Sequence, residues 1–220
     1  MTRLLRFTTV AAVSLVASGI AISASATTLG IELEETGFTT FSTSSSSNPL
    51  VVSQSFGTFG TNVEVNTLGT NPLSLDLGST NISTSTAGTL TIVASASGLT
   101  SPIGLEEFIS QFTGHLVSGS GGSVELQTYI SDSNTLFGTD TLLSTLGPSS
   151  LPVSLIGSAN ATTINPFAVT EVLTIAATGA SEFSLDGSMA VPEPASMALL
   201  GAGLVGFGLV RRRQTRKQRS

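Results

Sequence analysis

Two apolar segments with cations beside them divide this chain of 220 residues into three parts. The first segment, residues 7–22, follows Arg3 and Arg6, and the second, residues 195–210, precedes three arginines at 211–213. The eight Lys and Arg residues all lie at the terminal side of one of these segments, whereas the 14 Asp and Glu residues lie between them. Because Lys and Arg beside an apolar stretch are retained on the cytoplasmic side of a membrane, both segments are predicted to be membrane-directed. Only residues 27–190 remain to form a folded domain.

The N-terminal segment has the three parts of a secretory signal peptide. A cationic start and an apolar stretch precede Ala24-Ser25-Ala26, which fits the small-residue pattern that signal peptidase cleaves. Residues 1–26 are therefore predicted to be removed, and the mature chain begins at Thr27 outside the inner membrane. The sequence contains no Cys, so export brings no disulfides and the domain must be stabilised by its core.

The C-terminal segment is predicted to be a weak transmembrane helix. Its 16 residues span about 24 Å as a helix, somewhat less than the ~30 Å hydrocarbon layer. Its four glycines weaken the helix further. Pro192 and Pro194 hold the preceding chain extended and exposed, which suits a protease cleft. Residues 214–220 form a basic tail that stays in the cytoplasm, so the segment is interpreted as a temporary tether.

These C-terminal residues resemble the PEP-CTERM sorting signal of Gram-negative bacteria. The resemblance covers about the last 25 residues and includes the proline motif, the Gly/Leu-rich segment and the arginines in the expected order. It implies recognition by the membrane protease-transpeptidase exosortase, cleavage near Pro-Glu-Pro, and release or transfer to the cell surface, usually alongside exopolysaccharide and biofilm production. The same tail is also catalogued as the ice-binding protein C-terminal domain, a label that does not make its carriers ice-binding. The predicted processing residues are Ala24, Ala26, Val191, Pro192, Glu193, Pro194, Arg211, Arg212 and Arg213.

Apolar residues of the body recur mainly with period two, which predicts β-strands. Strands are predicted at residues 29–34, 73–77, 90–94, 123–131, 167–177 and 181–190, with 90–94 and 167–177 as central strands because they are continuously apolar. Asn-Pro and Gly-Pro pairs at residues 48, 71, 147 and 165 predict turns, and the Ser-rich residues 42–48 a surface loop. The expected fold is an all-β antiparallel sandwich, jelly-roll-like, covering residues 27–190.

One segment has a helical pattern instead. Ser101-Pro102 fits a helix start, and Leu105, Phe108, Ile109 and Phe112 follow at helical spacing before Gly114. The spacing predicts one short amphipathic helix that packs against the sheets.

Candidate catalytic and metal-binding residues are few. His115 is the only histidine, no nucleophile-elbow motif accompanies it, and zinc would need further His or Cys ligands. Adjacent Glu106 and Glu107 are interpreted as a solvated face rather than a glycosidase pair, since the chain has no Trp and one Tyr to bind a sugar ring. The glycine pattern at 201–206 lacks the downstream acidic residue of a dinucleotide site. No enzyme activity, cofactor or metal is predicted, and a body without cations is not expected to bind nucleic acid.

Three weaker patterns remain open as minority hypotheses. Residues 132–140 hold Asp132, Asn134 and Asp140 in an oxygen-rich stretch, for which a hairpin turn competes with calcium binding. Asn81 and Asn160 begin glycosylation-type sequons. Threonines near residues 84–91 raise ice binding, although no regular ladder repeats.

The expected function is that of an exported, non-enzymatic cell-surface or matrix protein, structural or adhesive, whose precursor is anchored in the inner membrane. Its expected partners are signal peptidase, exosortase and the membrane, together with an extracellular polysaccharide. The alternatives are a carbohydrate-binding module or hydrolase acting on that polysaccharide, and a stable single-pass membrane protein.

Overall fold

The computed structural model describes residues 27–68 and 73–192. The predicted signal peptide and transmembrane segment, with Glu193, Pro194 and the arginines, lie outside the described residues. The described chain folds into twelve strands and no helix. The strands are β1 Thr28–Glu35, β2 Phe41–Ser45, β3 Leu50–Phe56, β4 Phe59–Thr67, β5 Leu73–Thr84, β6 Gly88–Leu99, β7 Gly104–Gly119, β8 Gly122–Ser131, β9 Thr141–Ser150, β10 Val153–Thr163, β11 Phe167–Ala177 and β12 Ser181–Val191.

The strands form two six-stranded antiparallel sheets that pack as a sandwich. Sheet I has the order β2-β1-β6-β11-β8-β9, and sheet II has the order β10-β7-β12-β5-β4-β3. This architecture confirms the all-β sandwich expected from the alternation. The central pair of sheet I is β6 and β11, which confirms that the two continuously apolar segments are central strands.

The core lies between the sheets because alternate residues of each strand point inward. In β12, Phe183, Leu185, Met189 and Val191 are buried. The inward set of β8, namely Val124, Leu126, Thr128 and Ile130, is also buried, as its alternation predicts. The hydroxyl of Thr128 meets that of Ser110 in the opposite sheet at 2.8 Å, so this polar pair is satisfied inside the core.

The predicted helix at 101–114 is wrong. Residues 104–119 form β7, which pairs with β10 and β12 in sheet II. Phe108, Ser110 and Phe112 are buried at alternate positions of the strand. The inward hydroxyl of Ser110 forms a hydrogen bond with that of Thr128. Because a polar Ser points inward and an apolar Leu105 points outward, the apolar residues of this strand recur at helical spacing instead of alternating. The strand forms because β10 and β12 pair with it, and local periodicity does not report such pairing.

The turn predictions have mixed outcomes. Asn48-Pro49 and Asn165-Pro166 lie between strands, as expected, whereas Gly147-Pro148 lies inside β9. The Ser-rich segment at 42–48 is also partly wrong, because its first residues form the edge strand β2, paired with β1. Strand β1 supplies the backbone hydrogen-bond partners of β2, and the polar side chains of β2 do not predict this pairing. Asn71-Pro72 lies outside the described residues.

One end of the sandwich carries both connections to the predicted membrane segments. At this end, named the exit pole, β1 begins at Thr28, opposite Ser97, close to where β6 ends at Leu99. Residues 100–103 cross from there to the start of β7. Since β7 runs antiparallel beside β12 and Ile109 pairs with Ala190, the first residues of β7 project beyond the end of β12 at Val191.

The described ranges contain no helix that could cross a membrane.

Candidate functional site

The outer face of sheet II is a continuous polar surface, named the polar face. Residues of its strands that point away from the core are mostly amides, hydroxyls and carboxylates. They include Asn62, Glu64, Asn66, Asp76, Asn81, Ser83, Gln111, Thr113, His115, Ser184, Asp186 and Ser188. Three surface depressions of about 340, 260 and 320 Å³ are lined by residues of this face. The face is therefore the described surface best suited to contact a polar ligand.

The largest of these depressions brings His115 together with a hydroxyl and a carboxyl. Ser184 is the register partner of His115 on the neighbouring strand, and Asp186 lines the same depression. Burial raises the pKa of Asp186, and the carboxyl of Asp76 raises it further. In the described part of the chain, no hydrogen bond joins these three side chains, although a nucleophile and its base need one. The three residue types of a Ser-His-Asp triad therefore line one depression without the hydrogen bonds that a triad requires.

The two adjacent glutamates of β7 diverge. Glu107 is exposed and Glu106 is half-buried, because successive residues of a strand point to opposite faces. Their register partners on β10 are Asn160 for Glu107 and Ala161 for Glu106. A pair of carboxylates facing one substrate is therefore not formed by these two residues.

Glu171 is the charged residue that the sequence analysis missed. It lies in β11 of sheet I, points into the core, and is fully buried. Among the described residues neither carboxylate oxygen has a hydrogen-bond partner. Burial raises the pKa of Glu171 well above its usual value, and the carboxylates of Asp76 and Asp186 raise it further. A protonated, neutral acid is the form that this environment favours.

The carboxyl of Glu171 reaches across the core to Gly187 in the opposite sheet. A Cβ atom on Gly187 would lie 3.5 Å from Oε2 of Glu171, an ordinary van der Waals contact, and 3.2 Å from Leu126, a tighter one. Leu126 therefore limits a side chain at position 187 more than Glu171 does. In sequence, Glu171 stands between Thr170 and Val172 on a strand whose other inward residues are apolar, and its inward parity is the one signal that marks it as buried.

The oxygen-rich residues 131–140 form a self-satisfied loop over sheet I. Oδ2 of Asp140 accepts hydrogen bonds from the hydroxyls of Ser131 at 2.8 Å and Ser133 at 3.0 Å. These donors lower the pKa of Asp140. The side-chain oxygen of Asn134 accepts the amide of Gly98 at 2.7 Å. Across the described ranges no three His, Cys, Asp or Glu side chains are placed to hold a metal ion.

Residues of the same loop also pack on β1. A Cβ atom on Gly30 would lie 2.5 Å from the ring of Phe137 and 2.9 Å from Leu136. Phe137 adopts a positive φ of 64°, and its amide donates to Ser95 at 3.0 Å. Loop 131–140 is therefore held by apolar contact as well as by hydroxyl donors.

The predicted processing residues begin where the core ends. Val191 is buried as the last residue of β12, and Pro192 is exposed immediately after it. The other predicted processing residues lie outside the described residues. The folded domain thus reaches to within one residue of the Pro-Glu-Pro motif, with no separate linker in the sequence.

Residues 190–213 match the family described as the PEP-CTERM protein-sorting motif. This chain carries a PEP-CTERM sorting motif. The match covers the end of β12, the proline motif, the apolar segment and the three arginines. A comparison with curated protein sequences gives no match.

Comparison of this chain with solved structures gives likenesses at low sequence identity. It is similar to TmCBM61 in complex with β-1,4-galactotriose, at 10% identity and a TM-score of 0.27, over 64% of this chain and 92% of the other. A second is the CBM22-1 xylan-binding domain from Paenibacillus barcinonensis Xyn10C, at 13% identity and 0.29, over 66% and 95%. A third is a structure of infectious bursal disease virus Gx strain, at 14% and 0.35, over 81% and 53%. Such low TM-scores carry no argument about ligands.

The threonines and the sequon asparagines singled out in the sequence lie in different parts of the fold. Thr84 is buried in β5 of sheet II, where its hydroxyl donates to Thr86 at 2.9 Å, whereas Thr89 and Thr91 lie on β6 of sheet I. These threonines do not share one face. The sequon asparagines Asn81 and Asn160 both lie in strands of sheet II.

Proposed function

We propose that this protein is exported, held in the inner membrane by its C-terminal segment, cut by exosortase, and then displayed or shed as a non-enzymatic structural or adhesive domain of the extracellular matrix. The observation that carries the proposal is the position of the sorting motif. It starts at the last two residues of β12, so the core is complete at Val191, directly before Pro-Glu-Pro.

This position lets the tail be removed without harm to the fold. β12 lies inside sheet II between β7 and β5, and its last core residues are Met189 and Val191. A cut near Pro-Glu-Pro leaves both buried side chains in place. A cut several residues earlier would remove them and open a cavity, at about 2–5 kcal/mol for each large aliphatic side chain lost. The proline motif is therefore the first place at which cleavage leaves the sandwich intact.

Replacement of the acidic residue of the motif tests the sorting proposal. In a host with exosortase, full-length Glu193→Ala is expected to accumulate as uncut precursor in the membrane fraction, because the protease reads the Pro-Glu-Pro segment. Intact mass of the protein in membrane and culture supernatant measures the outcome. Glu182→Ala, which removes an exposed carboxylate from β12, is the matched control and should be processed normally. Release of the Glu193→Ala protein with the same mass as the wild type would contradict the proposal.

A second candidate function is polysaccharide binding by the polar face. Amides, hydroxyls and carboxylates in neighbouring rows across four strands offer both donors and acceptors to sugar hydroxyls. The face carries Asp76 and Asp186, and the sequence from residue 27 to 210 holds no Lys or Arg. An anionic polysaccharide would therefore be repelled, so an uncharged polymer is the ligand class that fits.

Binding to immobilised uncharged and anionic polysaccharides separates these candidates. If the polar face binds, an immobilised uncharged polymer retains the full-length protein in detergent. The Gln111→Ala, Asp186→Asn double variant is then no longer retained. Thr174→Ala, on a half-buried outward position of sheet I, is the control. No retention of either polymer class would leave the structural role as the better account.

A further inference from the structure

The exit pole has an apolar rim. Three aliphatic side chains there are more than half exposed: Ile103 at 51%, Leu105 at 73% and Ile164 at 51%. Ile103 directly precedes β7, Leu105 lies at the start of β7, and Ile164 directly follows β10. Large aliphatic side chains exposed together at one end of a domain mark an interaction surface.

Register places these side chains on the projecting ends of β7 and β10. The hydroxyl of Thr163 donates to the carbonyl of Pro102 at 2.7 Å, which sets Ile164 beside Ile103 on the β7 side of β12. Because Ala190 pairs with Ile109, Ile103 lies about five residues, roughly 17 Å, beyond the level of Val191. The apolar rim therefore projects past the end of β12, in the direction in which the chain leaves the domain.

The sequence fixes what faces this rim. Three residues separate Val191 from the apolar segment that begins at Ala195, and four extended Cα steps span at most about 14 Å. The same pole also receives the chain from the predicted signal peptide at Thr28. If the apolar segment is inserted, as the proposed function requires, the exit pole lies within the headgroup layer of that membrane.

We propose that the exit pole docks on the lipid surface, with Ile103, Leu105 and Ile164 inserted at the boundary between headgroups and acyl chains. The inference rests on the proposed function, because the anchor sets the distance to the membrane. Without Lys or Arg in the body, insertion depends on apolar burial and not on attraction to anionic lipid. The docked domain is held upright above its own anchor, and the proline motif lies at the interface.

The lack of cysteine in the chain permits a direct test. Single-cysteine variants Ile103→Cys, Val117→Cys and Leu204→Cys of the full chain are labelled with an environment-sensitive dye and reconstituted in phosphatidylcholine vesicles that contain quencher-labelled lipid. Val117 is the matched control, since it is 56% exposed at the opposite end of β7. The label at 204 reports whether the tail is inserted.

The expected result is strong quenching at 204, clear quenching at 103 and none at 117. Adding Ile164→Ser to the Ile103→Cys protein should lower the docked fraction about fivefold, through lost burial of one aliphatic side chain. The exit pole should dock no better on vesicles that contain phosphatidylglycerol than on vesicles of phosphatidylcholine. Quenching at 204 with none at 103 overturns the docking and leaves the anchor standing. No quenching at 204 overturns the anchor, and the docking with it.

Discussion

The core around Glu171 and the surface loop around Asp140 treat the same chemical group in opposite ways. The carboxyl of Glu171 is fully buried and has no donor among the described residues, and its pKa is raised. The carboxyl of Asp140 accepts from the hydroxyls of Ser131 and Ser133, and its pKa is lowered. Desolvation without donors favours the neutral acid, whereas donors favour the charged form. The pH dependence of stability should therefore have opposite signs in the two regions.

The largest expected effect is the removal of the core carboxyl. Glu171→Met is expected to raise the free energy of unfolding by about 1–3 kcal/mol at neutral pH, because a buried polar group without partners is replaced by an apolar chain of similar length. Urea or thermal unfolding measures the change. Glu182→Gln, at an exposed position of β12, serves as the control and should change little. A loss of stability in Glu171→Met would show that the carboxyl makes a favourable interaction that the static contacts do not reveal.

The next effect is the pH dependence that Glu171 imposes. Its folded pKa lies above the unfolded value of about 4.5, so the folded state binds more protons between these two values. The contribution of Glu171 to the free energy of unfolding is fully present below pH 4.5. It is lost as pH rises towards the folded pKa, by at most about 1.4 kcal/mol per pH unit. Unfolding of the wild type and of Glu171→Gln from pH 4 to 9 checks this sign. Parallel curves for the two proteins would refute the linkage.

The smallest effect belongs to the loop. The folded pKa of Asp140 lies below its usual value of 3.8, so its contribution to stability is present above pH 3.8 and is lost as pH falls through the folded pKa. Asp140→Asn should therefore be slightly less stable than the wild type near neutral pH, and equal to it at the acid limit. Exposure of the carboxyl keeps the effect small. Asp132→Asn, on the same loop without a resolved hydroxyl donor to its side chain, is the matched control. A deficit for Asp140→Asn that persists at the lowest pH would indicate a packing role.

Much of the sandwich follows from local pattern, and the exceptions have a common cause. Strands such as β8 alternate cleanly because one side faces the core, so Leu126 and its neighbours were assigned to the correct face. The prediction at β7 was wrong because Ser110 occupies a core position that an apolar residue usually takes. Its partner, Thr128, lies 18 residues away in the other sheet. No local pattern can show such a pairing.

The candidate site was less accessible to prediction. The charge distribution predicted a membrane segment, and the resemblance of the proline motif to a known family identified it as a sorting signal. The polar face was not predicted, because it assembles outward residues from strands that are distant in sequence, such as Asn62, Gln111 and Ser184. Glu171 was missed for the same reason. Its carboxyl lies next to Gly187, on a strand of the opposite sheet, and no local pattern shows that contact.

By itself, the sequence determined the sorting motif, the all-β class and the central strands of sheet I, since these depend on a short local motif, on the parity of apolar residues along one strand and on continuous apolar runs. Tertiary structure alone decided that residues 104–119 form a strand, that Glu171 is buried without a donor among the described residues, and that β1 begins and β12 ends at one pole. Those outcomes depend on which strands become neighbours. That choice is set by the packing of two sheets over long sequence separations, where each strand sees partners that its own residues do not specify.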